Sequence, residues 1–271
     1  MKCRNWPVGV CSWSLQTDIP GVAQAMKDLG LQHIHLGVAD AVGAGREQFL
    51  SAVRAQDWTI TSTMMNFAHE DYSTLETIKV TGGIVPDQFW QGDRDLFVQA
   101  AEVTAELGVK YLSMHAGFID ETDKEHAAKI TARIRELADV AEENGVIFLL
   151  ETGQESAKDL RHFLEELDHN SVGVNFDPAN MILYDKGDPI EAVRTLAPWI
   201  RHIHIKDALR TSQPGTWGAE VPWGDGQVGV DSFLAVLKEV GYDGALAIER
   251  EAGDDRFGDI QKAVQRLAAA K

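Results

Sequence analysis

The feature that most constrains the fold of this chain is a regular alternation of short apolar segments with longer amphipathic ones. Segments such as VGVCSWS and VIFLLE have the composition of buried strands. Strands are predicted at 8–14, 33–37, 58–65, 111–115, 146–151, 172–177, 200–206 and 245–249. Helical patterns lie near 20–29, 46–56, 94–107, 123–143, 156–167, 188–196, 231–240 and 257–269. Eight strand–helix units in succession predict a parallel sheet closed into a single (β/α)8 TIM barrel.

The chain length agrees with one such domain spanning residues 1–271, since barrels of this kind contain roughly 250 residues. An open, doubly wound sheet is the structural alternative. The first strand, however, leads into Gln16-Thr17-Asp18 and not into the glycine-rich phosphate-binding turn of that fold. We also find no linker that would divide the chain into two domains.

Two connections are much longer than the others, near 67–93 and 208–230, and both are rich in Gly, Pro and aromatic residues. Each follows a predicted strand, which in a barrel places it on the active face. Long loops in compact domains are usually functional. We therefore expect these two loops to cover a substrate, with simple loop packing or an oligomer contact as the alternative.

The charge balance excludes several functions. The chain has 25 Lys and Arg against 42 Asp and Glu, a formal net charge of −17, which disfavours nucleic acid as a partner. Cys3 and Cys11 are the two cysteines and cannot form a disulfide framework. No apolar run reaches the ~18 residues of a membrane span, and the first residues lack the apolar stretch of a signal peptide. We therefore expect a cytoplasmic protein without a membrane partner.

Polar residues that can bind a metal ion follow the later strands. Glu151, Asp177, His204 and Glu249 each stand at the C-terminal end of a predicted strand, 26, 27 and 45 residues apart. Adjacent strand ends would bring them to one rim of the barrel, where such enzymes have their active sites. Three carboxylates and an imidazole suit Mn²⁺, Mg²⁺, Co²⁺ or Zn²⁺. The alternative is that each residue forms a salt bridge with a Lys or Arg on the rim.

Four stretches in the second half of the chain carry a resemblance to a known family: LLETG at 149–153, NFDPAN at 175–180, HIHIKDALR at 202–210 and GYDGALAIERE at 241–251. In order and spacing they resemble the xylose isomerase-like superfamily of sugar isomerases and epimerases, which includes D-tagatose 3-epimerase and inosose-processing enzymes. The resemblance implies that Glu151, Asp177, His204 and Glu249 bind the metal. It also implies that Glu151 and Glu249 form the catalytic acid–base pair.

Candidate substrate-binding residues follow from the same comparison. Arg210, six residues after His204, falls where epimerases carry a substrate-binding arginine, and His115 falls on a histidine that helps to form the pocket. Asn180 replaces a histidine that epimerases often have, and its amide can still hydrogen-bond a hydroxyl group. Lys206 lies in phase with His204 on the same strand, so it can reach a substrate. Trp13 and Asn66 end early strands and are further candidates for the pocket wall.

These residues predict a divalent-metal-dependent sugar isomerase or epimerase that moves a proton through a metal-bound enediolate. One Mn²⁺ ion is the expected cofactor. A metal-dependent dehydratase acting on an inosose or keto-sugar, and a catalytically inactive sugar-binding barrel, are the alternatives. The expected partner is a small sugar or polyol derivative, with a slight preference for a non-phosphorylated one because only Arg210 and Lys206 supply positive charge nearby. Relatives often form dimers or tetramers, so a homodimer or homotetramer is also expected.

Overall fold

Eight parallel strands form a closed barrel, as predicted. The computed structural model describes residues 1–120 and 122–270, so positions 121 and 271 of the predicted domain lie outside the described residues. The strands are β1 (Trp6–Cys11), β2 (His33–Gly37), β3 (Thr59–Met64), β4 (Tyr111–Met114), β5 (Ile147–Glu151), β6 (Val172–Phe176), β7 (Ile200–Ile205) and β8 (Leu246–Ile248). They pair in chain order, and β8 pairs with β1 to close the ring. The (β/α)8 TIM barrel is thereby confirmed.

Helices surround the barrel and bury their apolar faces against it. They are α1 (Ile19–Leu29), α2 (Arg46–Arg54), α3 (Leu75–Thr81), α4 (Trp90–Glu106), α5 (Lys124–Glu143), α6 (Ala157–Leu167), α7 (Pro178–Leu183), α8 (Pro189–Leu196), α9 (Val230–Glu239) and α10 (Arg256–Ala269). Helix α6 illustrates the local cause. The Ser156 side chain accepts the backbone N–H of Asp159 and so caps the first turn, and Leu160, Leu164 and Leu167 form its buried stripe.

The apolar core lies between the strands and the helices, while the inside of the barrel is largely polar near its C-terminal end. Phe148 of β5 meets Phe97 of α4 at a ring-centroid distance of 5.0 Å, and Phe176 of β6 stacks on Phe233 of α9 at 6.3 Å. Because side chains alternate along a strand, the neighbouring Asn175 points into the barrel, where its Nδ2 lies 3.1 Å from a ring nitrogen of His204. The fold thus directs polar groups to the barrel axis.

Two segments that the sequence presents as long loops contain regular structure. The 67–93 connection holds α3 and the start of α4. Helix α3 forms because Thr74 and Thr77 cap each other, with each hydroxyl accepting the other residue's backbone N–H. The 208–230 connection holds a small hairpin in which Asp207–Leu209 pairs antiparallel with Ala219–Val221.

The first strand begins earlier than its prediction, and residues Ser12–Leu15 form a 3₁₀ turn in place of its expected end. The sequence pattern does not predict helix α7, since its six residues are too few to show a helical period. Among the described residues, no helix combines the length and the apolarity required to cross a membrane.

Candidate metal centre and active site

Four consecutive strands deliver the predicted metal ligands to one point. Glu151 is the last residue of β5, and Asp177 follows β6 as the N-cap of α7. His204 lies in β7, and Glu249 directly follows β8. One potential ligand atom from each residue lies within 4.8 Å of those of the other three. All four side chains are buried at the C-terminal mouth of the barrel, where enzymes of this fold have their active sites.

His204 stands at the centre of this cluster. Its Nδ1 atom is 3.3 Å from Glu151 Oε1, 3.2 Å from Glu249 Oε2 and 3.6 Å from Asp177 Oδ2. Its other ring nitrogen, Nε2, faces the interior of the barrel. Three carboxylates around one imidazole nitrogen are costly to bury without a positive charge among them, and a divalent cation supplies such a charge.

The hydrogen bonds of the carboxylates leave specific atoms free for a metal ion. Asp177 Oδ1 accepts the N–H groups of Ala179 and Asn180 at 2.7 and 3.0 Å, and Glu151 Oε1 accepts from the Asn180 amide at 3.2 Å. In contrast, Glu151 Oε2, Asp177 Oδ2 and His204 Nδ1 are buried without a hydrogen-bond partner. Buried polar atoms normally have partners. Unpaired carboxylate oxygens and an imidazole nitrogen at one point therefore fit a divalent metal ion.

Electrostatic coupling within the cluster shifts the pKa values of its members. Burial raises the pKa of Glu249, but the charges of His204 and Lys206 bring it well below its ordinary value. Burial would lower the pKa of His204, yet Glu249 and Glu151 raise it well above the ordinary value. Burial keeps the pKa of Asp177 above its ordinary value. Without a metal ion, the carboxylates are therefore balanced by positive charge on His204 and Lys206.

The second nitrogen of His204 has a defined partner. Burial lowers the pKa of His35 to about 3, so its ring is neutral and carries a single proton. Ser113 donates its hydroxyl to the Thr63 carbonyl at 3.0 Å, and it therefore accepts the Nε2 proton of His35 at 2.9 Å. His35 Nδ1 is then free to accept the Nε2 proton of His204 at 3.0 Å. The Asn175 amide nitrogen lies 3.1 Å from the same His204 Nε2, but it is itself a donor and forms no hydrogen bond there while Nε2 carries the proton. This arrangement leaves His204 Nδ1 facing the carboxylates.

A second set of potential ligands, comprising Cys11, His35 and His204, shares this histidine. Burial raises the pKa of the Cys11 thiol to about 12, so the sulfur stays protonated and is a poor metal ligand. The facing nitrogens of His35 and His204 are only 3.0 Å apart and share a hydrogen bond. The carboxylate side of His204 therefore fits a metal ion better than the Cys11 side does.

Lys206 provides the salt bridges that the sequence left as an alternative to metal binding. Its Nζ atom donates to Glu249 Oε2 at 2.8 Å and to Glu251 Oε2 at 2.7 Å, and it lies 3.7 Å from Asp177 Oδ2. Glu151, by comparison, lies beside His115 and His204, at 3.7 and 3.3 Å. Salt bridges with Lys206 therefore account for Glu249 and in part for Asp177. Glu151 has no Lys or Arg partner among the described residues.

A cavity of about 980 Å³ opens above the cluster. The predicted substrate-binding residues His115, Asn180 and Lys206 line it, together with Glu151 and Glu249. Trp13 and Asn66, the two further candidates, line it as well, and the Trp13 indole donates to Glu249 Oε1 at 2.8 Å. Both long connections contribute to the wall, through residues such as Tyr72 and Trp217.

Arg210 is placed differently from its predicted role. Its guanidinium contacts the Asp185 carboxylate and donates to the Gly187 carbonyl at 2.8 Å. Among the described residues, it is not one of those that line the cavity. Arg210 directly follows the first strand of the hairpin, Asp207–Leu209, and its contacts with Asp185 and Gly187 hold its guanidinium against the segment that follows α7.

Other residues of the site were not found from the sequence. His35 carried no signal beyond its presence in a strand, Glu220 lies in the hairpin, and Tyr72 lies before α3. Glu220 Oε1 accepts a hydrogen bond from the Arg250 guanidinium at 2.6 Å, and Glu220 Oε2 lies 4.0 Å from Lys206 Nζ. The positions of the strands in the sequence do not reveal Glu220 or Tyr72, since both lie in long connections whose path depends on tertiary packing.

Solved structures of similar fold include proteins that are named as enzymes acting on sugars. A xylose isomerase domain protein from Planctomyces limnophilus superposes with a TM-score of 0.90 at 31% identity, covering 98% of this chain and 97% of that one. A D-allulose 3-epimerase from Methylomonas sp. in complex with D-allulose has a TM-score of 0.73 at 16% identity, covering 100% and 99%. The probable 3-DHS dehydratase AsbF from Bacillus anthracis has a TM-score of 0.74 at 16% identity, covering 98% and 100%. At such low identity, the last two share the fold alone.

One curated relative, the uncharacterized protein YihM of Escherichia coli strain K12, is 36% identical over 78 residues. That match spans 28% of this chain and about a quarter (24%) of YihM. The family model described as "Xylose isomerase-like TIM barrel" matches residues 23–270, which include all four residues of the candidate metal centre. The chain therefore belongs to the xylose isomerase-like TIM barrel family.

Proposed function

We propose that this protein is a divalent-metal-dependent sugar isomerase or epimerase in which Glu151 and Glu249 are the acid–base pair. The observation that carries the proposal is the convergence of Glu151, Asp177, His204 and Glu249 at the mouth of the barrel, with ligand atoms left unpaired and with Glu151 and Glu249 lining the cavity. Sugar-epimerase names among proteins of the same fold agree with it. Mn²⁺ is the proposed ion, since three carboxylates and an imidazole suit it, with Mg²⁺, Co²⁺ and Zn²⁺ as alternatives.

The two glutamates are arranged as an acid–base pair requires. They stand at the ends of β5 and β8, and their carboxylate oxygens lie 3.3 and 3.2 Å from His204 Nδ1. Their ionised forms are favoured, so one can take a proton from a carbon next to a carbonyl. The other must first take up a proton from solvent before it can return one to the substrate, and the first then releases its proton to solvent. When bound, a divalent cation stabilises the negative charge that develops on the substrate oxygens. Asp177 and His204 would hold that cation.

His115 and Asn180 are proposed to bind and orient the substrate. The Asn180 amide already donates to Glu151 Oε1 at 3.2 Å and to the Thr152 carbonyl at 3.1 Å, so it fixes the direction of the Glu151 carboxylate. His115 Nε2 lies 3.7 Å from the same oxygen. Lys206 fixes Glu249 in the same way from the other side of the site. The chain thus holds both carboxylates in place before a substrate arrives.

The same geometry supports a dehydratase as a second candidate. After proton removal, the substrate would expel a hydroxyl group from the next carbon, and that hydroxyl needs a proton in order to leave as water. His115 borders the cavity beside Glu151 and could donate it. The two reactions begin with the same step and differ in whether water is lost.

The proposal predicts that solvent deuterium enters a sugar carbon. Wild type, Glu151→Gln and Glu249→Gln would be loaded with Mn²⁺, assayed for bound metal by mass spectrometry, and incubated in D2O with ketoses, aldoses and inososes. Loss of one acid–base partner should slow exchange by about 10²–10⁴-fold. Glu165→Gln, an exposed glutamate on α6 that pairs with Arg161, should exchange at the wild-type rate.

The outcomes separate the candidates. Deuterium entry without a change in composition supports an isomerase or epimerase, and entry with loss of water supports the dehydratase. A metal-loaded Glu151→Gln protein that exchanges as fast as wild type would disprove the role of Glu151. Failure of the wild type to bind any divalent ion would remove the basis of the proposal.

A further inference from the structure

A buried carboxyl group lies behind the cavity wall and takes no part in the proposed reaction. Glu155 follows the end of β5 by four residues, is 8% exposed and is not among the described residues that line the cavity. Its Oε1 atom accepts the backbone N–H of Ile119 at 2.8 Å, from a position 36 residues earlier in the chain. Glu155 therefore ties the loop after β5 to the loop after β4.

The loop after β4 begins with a residue of the proposed site. His115 lines the cavity, and its Nε2 lies 3.7 Å from Glu151 Oε1. Residues 115–120 have no regular structure, so individual contacts fix their path. His126 of α5 donates its Nε2 proton to the Phe118 carbonyl at 2.7 Å, and Glu155 accepts the N–H of the next residue. These two bonds hold the chain that leads away from His115.

The tie itself does not require a carboxyl group. A glutamine at this position would accept the same N–H, and a buried amide costs less than a buried charge. What the carboxyl group adds is a proton that can leave. Burial raises the pKa of Glu155 to about 7, although the Ile119 N–H and the charges of Lys186 and His115 act to lower it. The proton is therefore gained and lost near neutral pH.

Charged groups from several elements surround the tie. The charges of Lys186, after α7, and of His115, after β4, favour the ionised carboxyl group. Lys79 of α3 pairs instead with Asp120 of the same loop at 3.3 Å. Both lysines lie over the Phe118 ring, with Nζ 4.5 Å from its centroid for Lys79 and 5.1 Å for Lys186. They are thus alike in their packing and differ in the carboxyl group that they face.

Thermodynamic linkage gives the direction of the effect. While the two loops are joined, the buried carboxyl group has a pKa of about 7, and when they separate it meets water and returns towards its ordinary pKa of 4.5. A group whose pKa is raised in the closed arrangement stabilises that arrangement when it is protonated. This stabilisation is complete below about pH 4.5 and is lost as the pH rises through about 7.

We propose that Glu155 is a positioning residue for His115, and that its proton acts as a latch between the loops after β4 and β5. The protonated side chain keeps the loop that begins at His115 closed, and loss of the proton to solvent makes that loop open more often. This inference rests on the proposed function, in which His115 binds and orients the substrate. It adds a pH-dependent control of that residue.

Amide hydrogen exchange of Ile119 tests the latch directly. It would be measured on the Mn²⁺-loaded protein by mass spectrometry with fragmentation to single residues. After correction for the intrinsic rate, protection in the wild type should fall by about 10–100-fold between pH 5 and pH 8. Glu155→Gln, which keeps the acceptor oxygen, should be protected equally at both pH values. Glu165→Gln, an exposed glutamate on α6, is the matched control and should follow the wild type.

Two results would overturn the latch. One is protection of Ile119 in the wild type that does not change with pH. The other is a fall in Glu155→Gln as large as that in the wild type, which would assign the effect to another titrating group.

A pair of lysine variants locates the charge that sets the pH of the fall. Lys186→Met removes a cation that favours the ionised carboxyl group, so the pKa of Glu155 should rise and the fall should extend to higher pH. Lys79→Met removes the other lysine beside Phe118 and should leave the pH of the fall unchanged. An unchanged fall in Lys186→Met, or the same displacement in both variants, would contradict the role of Glu155.

Glu155→Leu separates the latch from the function on which it rests. It removes the acceptor of the Ile119 N–H, so KM for a sugar that the wild type converts should rise by about five- to tenfold, with a smaller change in kcat. Glu155→Gln should restore KM. A pH-dependent latch in a protein that converts no sugar would support this inference and refute the proposed function. Conversion with a wild-type KM in folded Glu155→Leu would support the reaction and refute the positioning role.

Discussion

His204 is the residue that connects the metal centre to the interior of the barrel. One of its ring nitrogens faces three carboxylates and the other hydrogen-bonds His35, which Ser113 orients. A metal-binding histidine needs its ligating nitrogen free of a proton and its ring held in direction. His35 supplies both conditions. Its neutral ring donates its one proton to Ser113, so its other nitrogen can only accept a hydrogen bond from His204 Nε2. This bond holds the His204 ring in direction and keeps its proton on the nitrogen that faces away from the carboxylates.

This role of His35 predicts a loss of metal affinity when the acceptor is removed. His35→Leu should weaken Mn²⁺ binding by about 10–100-fold, and His35→Gln, which keeps an acceptor oxygen, should recover most of it. The measurement is titration calorimetry, with unfolding monitored in parallel to verify that each variant is folded. His33→Gln is the control, because His33 lies two residues earlier on the same face of β2 but is partly exposed. Wild-type affinity in folded His35→Leu would show that the contact has no positioning role.

At the scale of elements, the connection after β7 shapes the cavity, and one carboxylate holds it. Asp207 accepts the backbone N–H groups of Gly224, Gly226 and Val228 at 2.9, 3.1 and 3.0 Å. These bonds fasten the far end of the 208–230 segment to the end of β7. The second strand of the hairpin, Ala219–Val221, carries Glu220 and is preceded by Trp217, and both residues line the cavity.

Removal of this anchor should destabilise the protein. Asp207→Ala would leave several backbone N–H groups without an acceptor, at a cost of about 2–4 kcal/mol in the free energy of unfolding. Asp207→Asn keeps one acceptor oxygen and should cost less. Asp225→Ala, in the same segment, removes only the exposed contact with Arg266 at 2.7 Å and should cost less than about 1 kcal/mol. Urea denaturation measures all three, and equal costs for Asp207→Ala and Asp225→Ala would contradict the anchoring role.

At the scale of the whole molecule, the closed barrel collects negative charge at one end. The formal net charge is −17, and three buried carboxylates meet beside His204. Such an arrangement is held together without a metal by Lys206 and a protonated His204, and a divalent ion would replace the proton on His204. A ligand that binds only the folded state adds to its stability.

Mn²⁺ should therefore raise the melting temperature. At a hundredfold excess over its Kd, the gain is about 2.7 kcal/mol, or roughly 5–10 °C for a chain of this size. Asp177→Asn should lose most of this shift, as scanning calorimetry would show. Asp139→Asn tests the exposed cluster of Asp139, Glu142 and His169, whose ligand atoms are also close together, and it should keep the full shift. A shift that depends on Asp139 and not on Asp177 would move the metal to that surface cluster.

The sequence alone determined the barrel and the convergence of its rim residues. Strand and helix periods are local properties, so eight units could be read from the order of apolar segments, within a few residues at each boundary. In a parallel barrel every strand end lies on one rim, which is why Glu151, Asp177, His204 and Glu249 could be grouped without knowledge of any contact. His202 precedes His204 by two residues on β7, and it is buried with its Nδ1 2.9 Å from Asn175 Oδ1.

Only the tertiary structure decided what lies between and above the strands. Contacts across the barrel, such as that of His35 with His204, join residues 169 positions apart and have no periodic signal. The direction of Arg210 depends on the hairpin that follows β7, and the aromatic wall depends on how two long connections fold over the mouth. Their paths are set by individual contacts, such as those of Asp207, because a connection has no repeating backbone geometry to fix where its side chains point.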